Sequence, residues 1–97
     1  MGLFIKTIGR NGDKGLLNMQ NVESITISKN KGVTFIPARG VDTHASCSPM
    51  VAYCTDKVAE IILDEIIDFM AVNANGVYDA YTRVQELNKM RLSKLQA

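Results

Sequence analysis

His44, Cys47 and Cys54 are the residues of this 97-residue chain whose types suit a metal site. Their spacing is His-x2-Cys-x6-Cys, and Asp42 or Asp56 could supply a fourth ligand. A structural zinc site normally combines two close pairs of ligands, whereas here only the first two residues are close in sequence. We therefore expect no metal, no other cofactor and two free cysteine thiols.

Nucleophilic catalysis is the second chemistry that this region suggests. Ser46, Cys47 and Ser48 follow closely after His44. A catalytic nucleophile needs a base that is oriented by a third group, together with an oxyanion hole. No nucleophile-elbow pattern accompanies these residues. We therefore expect a polar loop and a protein that is not an enzyme.

Charge is distributed unevenly along the chain, although the net charge is only +1. Residues 1–55 carry six basic and three acidic side chains, residues 56–76 carry one and five, and residues 77–97 carry four and two. The small net charge argues against a general electrostatic binder of nucleic acid. The separation of sign allows regions of opposite charge to pair within one molecule or between neighbours.

Basic residues in or next to turns suggest a nucleic-acid interface as an alternative function. These residues are Arg10, Lys14, Lys29, Lys31 and Arg39. If the turns lie at one edge of the sheet, their cations can follow a phosphate backbone. Binders of single strands normally add exposed aromatic residues on which bases stack. Phe4, Phe35 and Tyr53 lie in predicted strands, and we expect them in the core.

The spacing of apolar residues changes at Thr55. Before it, apolar residues alternate in short runs, which predicts strands over residues 3–10, 16–17, 22–28, 33–36 and 50–54. Asn-Gly and Lys-Gly sequences between the runs predict hairpin turns. Residues 37–49 are polar and aperiodic, so most of them are expected to form a loop.

After Thr55, apolar residues recur at three- and four-residue spacing, which predicts two helices. The first covers residues 56–72, with Thr55 as its N-cap and Gly76 as a left-handed C-terminal cap. The second covers residues 77–95 and has a narrower apolar stripe. This second stripe can pack on its own domain or against a partner, and the sequence leaves both alternatives open.

The predicted fold is therefore α+β: a small curved antiparallel sheet of four or five hairpin-connected strands, followed by two C-terminal helices. Residues 1–76 form a sheet-plus-helix domain, and residues 77–97 form an amphipathic helix of the same domain or an oligomerisation element. The apolar runs are too short to cross a membrane, and no secretory signal is recognisable. We expect a cytoplasmic, non-enzymatic interaction module that self-associates through Val77, Tyr81, Val84 and Leu87.

Residues 3–70 resemble the small FlbD-type flagellar proteins in layout. The matching features are Asn11-Gly12, Leu17-Asn18, Val22, Ile25 and the helical sequence DKVAEIILDEI. Small phage and mobile-element proteins share this pattern. The resemblance implies a non-enzymatic accessory protein built from a sheet and a helix, and it assigns no functional residue.

Overall fold

The computed structural model describes residues 2–38 and 50–96, with side chains described as far as Met90. This part of the chain contains two long helices and six strands, namely β1 (Leu3–Ile8), β2 (Lys14–Asn18), β3 (Val22–Ser28), β4 (Gly32–Pro37), β5 (Val51–Ala52) and β6 (Gly76–Asp79). The helices are α1 (Asp56–Val72) and α2 (Ala80–Gln96). The predicted α+β class is confirmed.

The described helices include none that is long and apolar enough to cross a membrane.

The sheet is mostly antiparallel, in the order β2-β1-β5-β4-β3, with β6 paired to β1. Both predicted hairpins, β1–β2 and β3–β4, are present. The alternation pattern did not predict that β1 also pairs in parallel with β5 and with β6. A hairpin turn in the sequence indicates an antiparallel neighbour. Parallel neighbours are joined by a long crossover connection, which has no comparable local sequence signal.

A very short connection joins the two strands at the ends of the strand order. β2 and β3 lie at opposite ends of the order, yet only the 3-10 turn Met19–Asn21 separates them in sequence. The four Cα–Cα steps from Asn18 to Val22 span at most about 15 Å, whereas four strand spacings in a flat sheet span roughly 19 Å, so the sheet must curl to bring these strands together at that point. The predicted curvature follows from this short connection.

α1 covers the sheet with the bounds that the apolar spacing predicts. Its buried residues Val58, Ala59, Ile62 and Ile66 belong to one hydrophobic core with Phe35 and Ile5 of the strands. Each large side chain contributes on the order of 1.5–3 kcal/mol before entropy is counted. The predicted N-cap is confirmed, since the Val58 N–H donates to Thr55 Oγ1 at 3.4 Å.

The C-terminal end of α1 differs from the prediction. The backbone N–H and the side-chain amide of Asn73 both donate to the Phe69 carbonyl oxygen, at 3.1 and 2.8 Å, and they end the helix. Gly76, predicted as the helix cap, instead begins β6 with a φ of 137°. The prediction of helix for residues 77–79 is therefore wrong, because these residues complete the edge of β1.

α2 begins at Ala80, where the Asp79 carboxylate accepts from the backbone N–H and the hydroxyl of Thr82 at 2.9 Å each. Ala80, Val84 and Leu87 are spaced as one helix face and are all buried. The helix contacts β1, β5 and α1. This buried face of α2 therefore packs within its own chain.

Gly32 allows the β3–β4 turn to approach β5 closely. Its φ is +96°, and a Cβ at this position would lie 2.2 Å from the Ala52 carbonyl oxygen and 2.7 Å from the Cys54 nitrogen. Both atoms belong to the backbone and cannot rotate away. Glycine is therefore required here for two reasons, the backbone conformation and the space.

We predict that Gly32→Ala destabilises the fold more than Gly12→Ala does. Gly12 has a similar φ of +86° but no heavy atom within 4 Å of its Cβ position. Gly12→Ala should cost about 1–2 kcal/mol from backbone strain, and Gly32→Ala should add about 1–3 kcal/mol from overpacking. Urea denaturation measures both variants. Equal losses would show that the close approach to β5 is unimportant.

Candidate nucleic-acid interface

Two of the basic turns lie at the same end of the sheet because of how β5 pairs. The turn that carries Arg10 follows the end of β1, and β5 runs parallel to β1. The turn that carries Lys29 and Lys31 precedes β4, and β4 runs antiparallel to β5. The end of β1, the end of β5 and the start of β4 therefore coincide.

Hydrogen bonds hold both turns in position around Tyr53. The Tyr53 N–H donates to the Ile8 carbonyl oxygen at 2.9 Å, which ties the residue to the end of β1. The Asn30 N–H donates to Asp56 Oδ1 at 3.1 Å, which ties the second turn to the start of α1. Asn30 adopts a φ of 65°, a conformation that asparagine tolerates better than most residues.

A groove of about 740 Å³ lies between the two turns. Its lining includes three cations, Arg10, Lys29 and Lys31, and no carboxylate from the described part of the chain. The remaining described lining residues are Asn30, Thr34, Met50, Val51 and Tyr53. We call this cavity the basic groove. Its positive charge and its polar lining residues suit a phosphate-bearing ligand.

Tyr53 lines the basic groove, contrary to the prediction that it lies in the core. Its neighbours Ala52 and Cys54 are buried, so the alternation of an extended chain directs Tyr53 to the opposite side. In the sequence, the small apolar residues Ala52 and Cys54 on either side of Tyr53 were the features that could have predicted this placement. Phe35 is confirmed as a core residue, and Phe4 is only partly buried.

A second cavity of about 520 Å³ adjoins the basic groove and shares Asn30 and Tyr53 with it. Its lining adds Thr55 and Asn88 among the neutral polar residues, and Asp56 and Lys57 as a pair of opposite charge. We call it the polar cavity. The amide groups of two asparagines provide both donors and acceptors there.

Of the other two predicted basic residues, Lys14 does not line the basic groove. The Lys14 ammonium lies over the Tyr81 ring, 4.7 Å from its centre, and forms a cation–π contact. Arg39 lies outside the described residues. Three of the five residues predicted for this interface are therefore brought together.

The residues considered for metal binding fall mostly outside the described part. This holds for Asp42, His44 and Cys47, and for the serines beside them. Cys54 is buried, burial raises the pKa of its thiol, and its Sγ donates to the Ala52 carbonyl oxygen. Within residues 2–38 and 50–90, no group of three metal-ligating side chains is found.

The residues predicted for self-association are divided between the surface and the core. Val84 and Leu87 are 1% and 8% exposed and pack inside their own chain. Another chain therefore cannot contact these two side chains while the fold is intact. Tyr81 is partly buried. Val77 lies in β6 rather than in a helix and is 48% exposed. A contact with another chain at these positions must therefore centre on Val77.

A polar cluster of Glu65, Tyr78 and Arg83 connects α1, β6 and α2. The Tyr78 hydroxyl donates to Glu65 Oε1 at 2.7 Å, and the Arg83 guanidinium donates to both carboxylate oxygens at 2.8–3.0 Å. The bond from Arg83, opposed by partial burial, lowers the pKa of Glu65. Burial and the same carboxylate raise the pKa of Tyr78. These three residues line neither described cavity, so we interpret the cluster as structural.

Comparisons with protein-family models, with curated proteins and with solved structures found no match to this chain. The resemblance to FlbD-type proteins stays a prediction, and the geometry of the site carries the functional argument.

We predict that Glu65→Gln destabilises the fold by about 1 kcal/mol near neutral pH, the upper end for exposed ion pairs. Because the folded-state pKa of Glu65 is lowered, the ionised carboxylate stabilises the fold above the unfolded-state pKa of about 4.3. That contribution is lost as the pH falls through the folded-state value. The difference between wild type and Glu65→Gln should therefore shrink as the pH falls below about 4.

Urea titrations at several pH values between about 3 and 7 measure this difference. Glu86→Gln is the matched control, because the Glu86 side chain is 58% exposed and lies 3.9 Å from Arg83. It should change the free energy of unfolding by less than about 0.5 kcal/mol. A pH-independent loss for Glu65→Gln would contradict the interpretation.

Proposed function

We propose that this protein is a non-enzymatic binder of nucleic acid and that the basic groove holds the sugar–phosphate backbone. The observation that carries the proposal is the convergence of Arg10, Lys29 and Lys31 from two separate turns onto one groove. Single-stranded binders commonly combine such a charged groove with an adjacent aromatic residue. Tyr53 supplies that residue.

The distribution of charge supports this function better than the net charge does. Most carboxylates of α1 lie away from the groove, since Asp56 alone of its acidic residues lines either described cavity. A polyanion therefore meets positive charge at one end of the sheet and negative charge along α1. Binding by three cations releases condensed counterions from the nucleic acid.

The residues of the basic groove suit binding. Its cations provide charge, Asn30 provides an amide, and Met50 and Val51 provide apolar surface. The Thr34 hydroxyl is already engaged, since it donates to Ser28 Oγ at 3.1 Å. These groups can hold a backbone in place, and we assign none of them a chemical step.

We predict that Lys31→Glu weakens binding of a single-stranded oligonucleotide of about 12 nucleotides by about ten-fold or more at low salt. Lys31 is exposed, so its substitution should leave the fold intact. Fluorescence anisotropy measures the affinity. The wild-type plot of log affinity against log salt should have a slope of about −2, as three phosphate contacts on a single strand imply.

Lys89→Glu is the control, because it reverses the same charge on α2 at an exposed residue outside the basic groove. Because Lys89 lines neither described cavity, this variant should change the affinity by less than about three-fold when both variants are compared at about 0.15 M salt, where the Debye length is about 8 Å. Absence of wild-type binding at low salt would refute the proposal. Equal losses in the two variants would show attraction by net charge alone.

A second candidate function is self-association through the surface of β1, β2 and β6 that carries Val77. The strand register places Phe4 beside Val77, and Lys6 beside Leu16, on one face of the sheet. Val77 and Leu16 are 48% and 51% exposed. Lys6 and Asp79 lie 3.8 Å apart on the same face and add an ion pair to it. A second copy presenting the same face would bury these apolar side chains.

We predict that Val77→Lys abolishes this self-association by placing a charge within the contact. Val72→Lys is the matched control, since Val72 is 80% exposed at the end of α1 and lies off the β1–β2–β6 face. Light scattering at increasing protein concentration measures the mass of each variant. A wild type that stays monomeric throughout would refute self-association.

A further inference from the structure

The basic groove and the polar cavity meet at Tyr53, and their lining groups differ. The basic groove carries three cations and no described carboxylate, the polar cavity carries amide and hydroxyl groups beside the oppositely charged Asp56 and Lys57, and Tyr53 lines both. A nucleotide has the same division, with its charge on the phosphate and its hydrogen-bonding groups on the base. The base also has an apolar face that stacks on aromatic rings.

Resting on the proposed function, we propose that the ligand is single-stranded and that a base stacks on Tyr53, with its phosphate in the basic groove and its edge directed to the polar cavity. Within a duplex, both faces of a base are covered by neighbouring bases, so its face cannot reach a protein side chain without unstacking. A tyrosine platform beside a charged groove therefore selects unpaired strands.

Within the described part of the chain, no other aromatic ring and no cation contacts the ring of Tyr53. Among the described aromatic residues, Phe69 and Tyr78 contact each other, with ring centres 5.9 Å apart. The Lys14 ammonium lies over the ring of Tyr81. Tyr53 has no aromatic or cationic partner within the described part, and its hydroxyl has no described hydrogen bond. The Tyr53 backbone N–H donates to the Ile8 carbonyl oxygen, and this hydrogen bond fixes the backbone from which the ring extends.

The polar cavity has the groups to contact the edge of a base. Asn30 and Asn88 are exposed residues on the β3–β4 turn and on α2, and both line the cavity. A side-chain amide can donate and accept at once, which matches the paired donors and acceptors of a base edge. The cavity volume of about 520 Å³ is within the range of about 300–1,000 Å³ that small-molecule sites occupy.

The test compares two single-stranded oligonucleotides of equal length, oligo(dT) and an abasic strand with the same phosphates but no bases. For the wild type, anisotropy should show oligo(dT) binding about ten-fold or more tighter than the abasic strand. Tyr53→Phe should keep this difference, because the phenyl ring still stacks. Tyr53→Leu should bind both strands equally, at the affinity that the wild type has for the abasic strand.

Tyr53→Leu keeps an apolar side chain but removes the aromatic ring, and urea denaturation of each variant confirms that it is folded. Equal wild-type affinity for the two strands would overturn stacking on Tyr53 while leaving phosphate binding by the groove in place. Tighter binding of a duplex of the same length would overturn the selection of single strands. Absence of binding to every oligonucleotide would overturn the proposed function as well.

Discussion

The central constraint on this structure is that the short strand β5 has a neighbour on each side. It pairs in parallel with β1 and antiparallel with β4, and the adjacent Tyr53 bonds to the carbonyl of Ile8. Two hairpins that are separate in sequence are joined by these few bonds into one sheet. The same pairing sets the β1–β2 and β3–β4 turns side by side and creates the basic groove.

The close approach of backbone at Gly32 is the steric counterpart of this pairing. Any side chain there would meet the Ala52 carbonyl, so the turn that carries Lys31 can lie against β5 only with glycine at this position. The bond from Asn30 to Asp56 then joins the turn to α1. The position of the candidate site is consequently coupled to the stability of the core, although its cations lie at the surface.

Local patterns predicted the elements well where each element carried its own signal. α1 has the expected bounds because its apolar spacing, its Thr55 cap and its length are all encoded within a single segment. β6 was missed because Val77 fits a helical stripe with Tyr81 and Val84 as well as it fits a strand, and only the pairing with β1 decides between the two. The placement of Val84 and Leu87 in the core depends on that same pairing, since β6 sets where α2 begins.

For the candidate site, the sequence by itself determined which residues are cationic and that Arg10, Lys29 and Lys31 lie in turns, because turn formation and charge are local properties. It also determined that an aromatic residue precedes α1. Only the tertiary structure decided that Arg10, Lys29 and Lys31 share one groove and that Tyr53 lines it. The physical reason is that strand order depends on contacts between distant segments, and alternation along one strand does not record which strand becomes its neighbour.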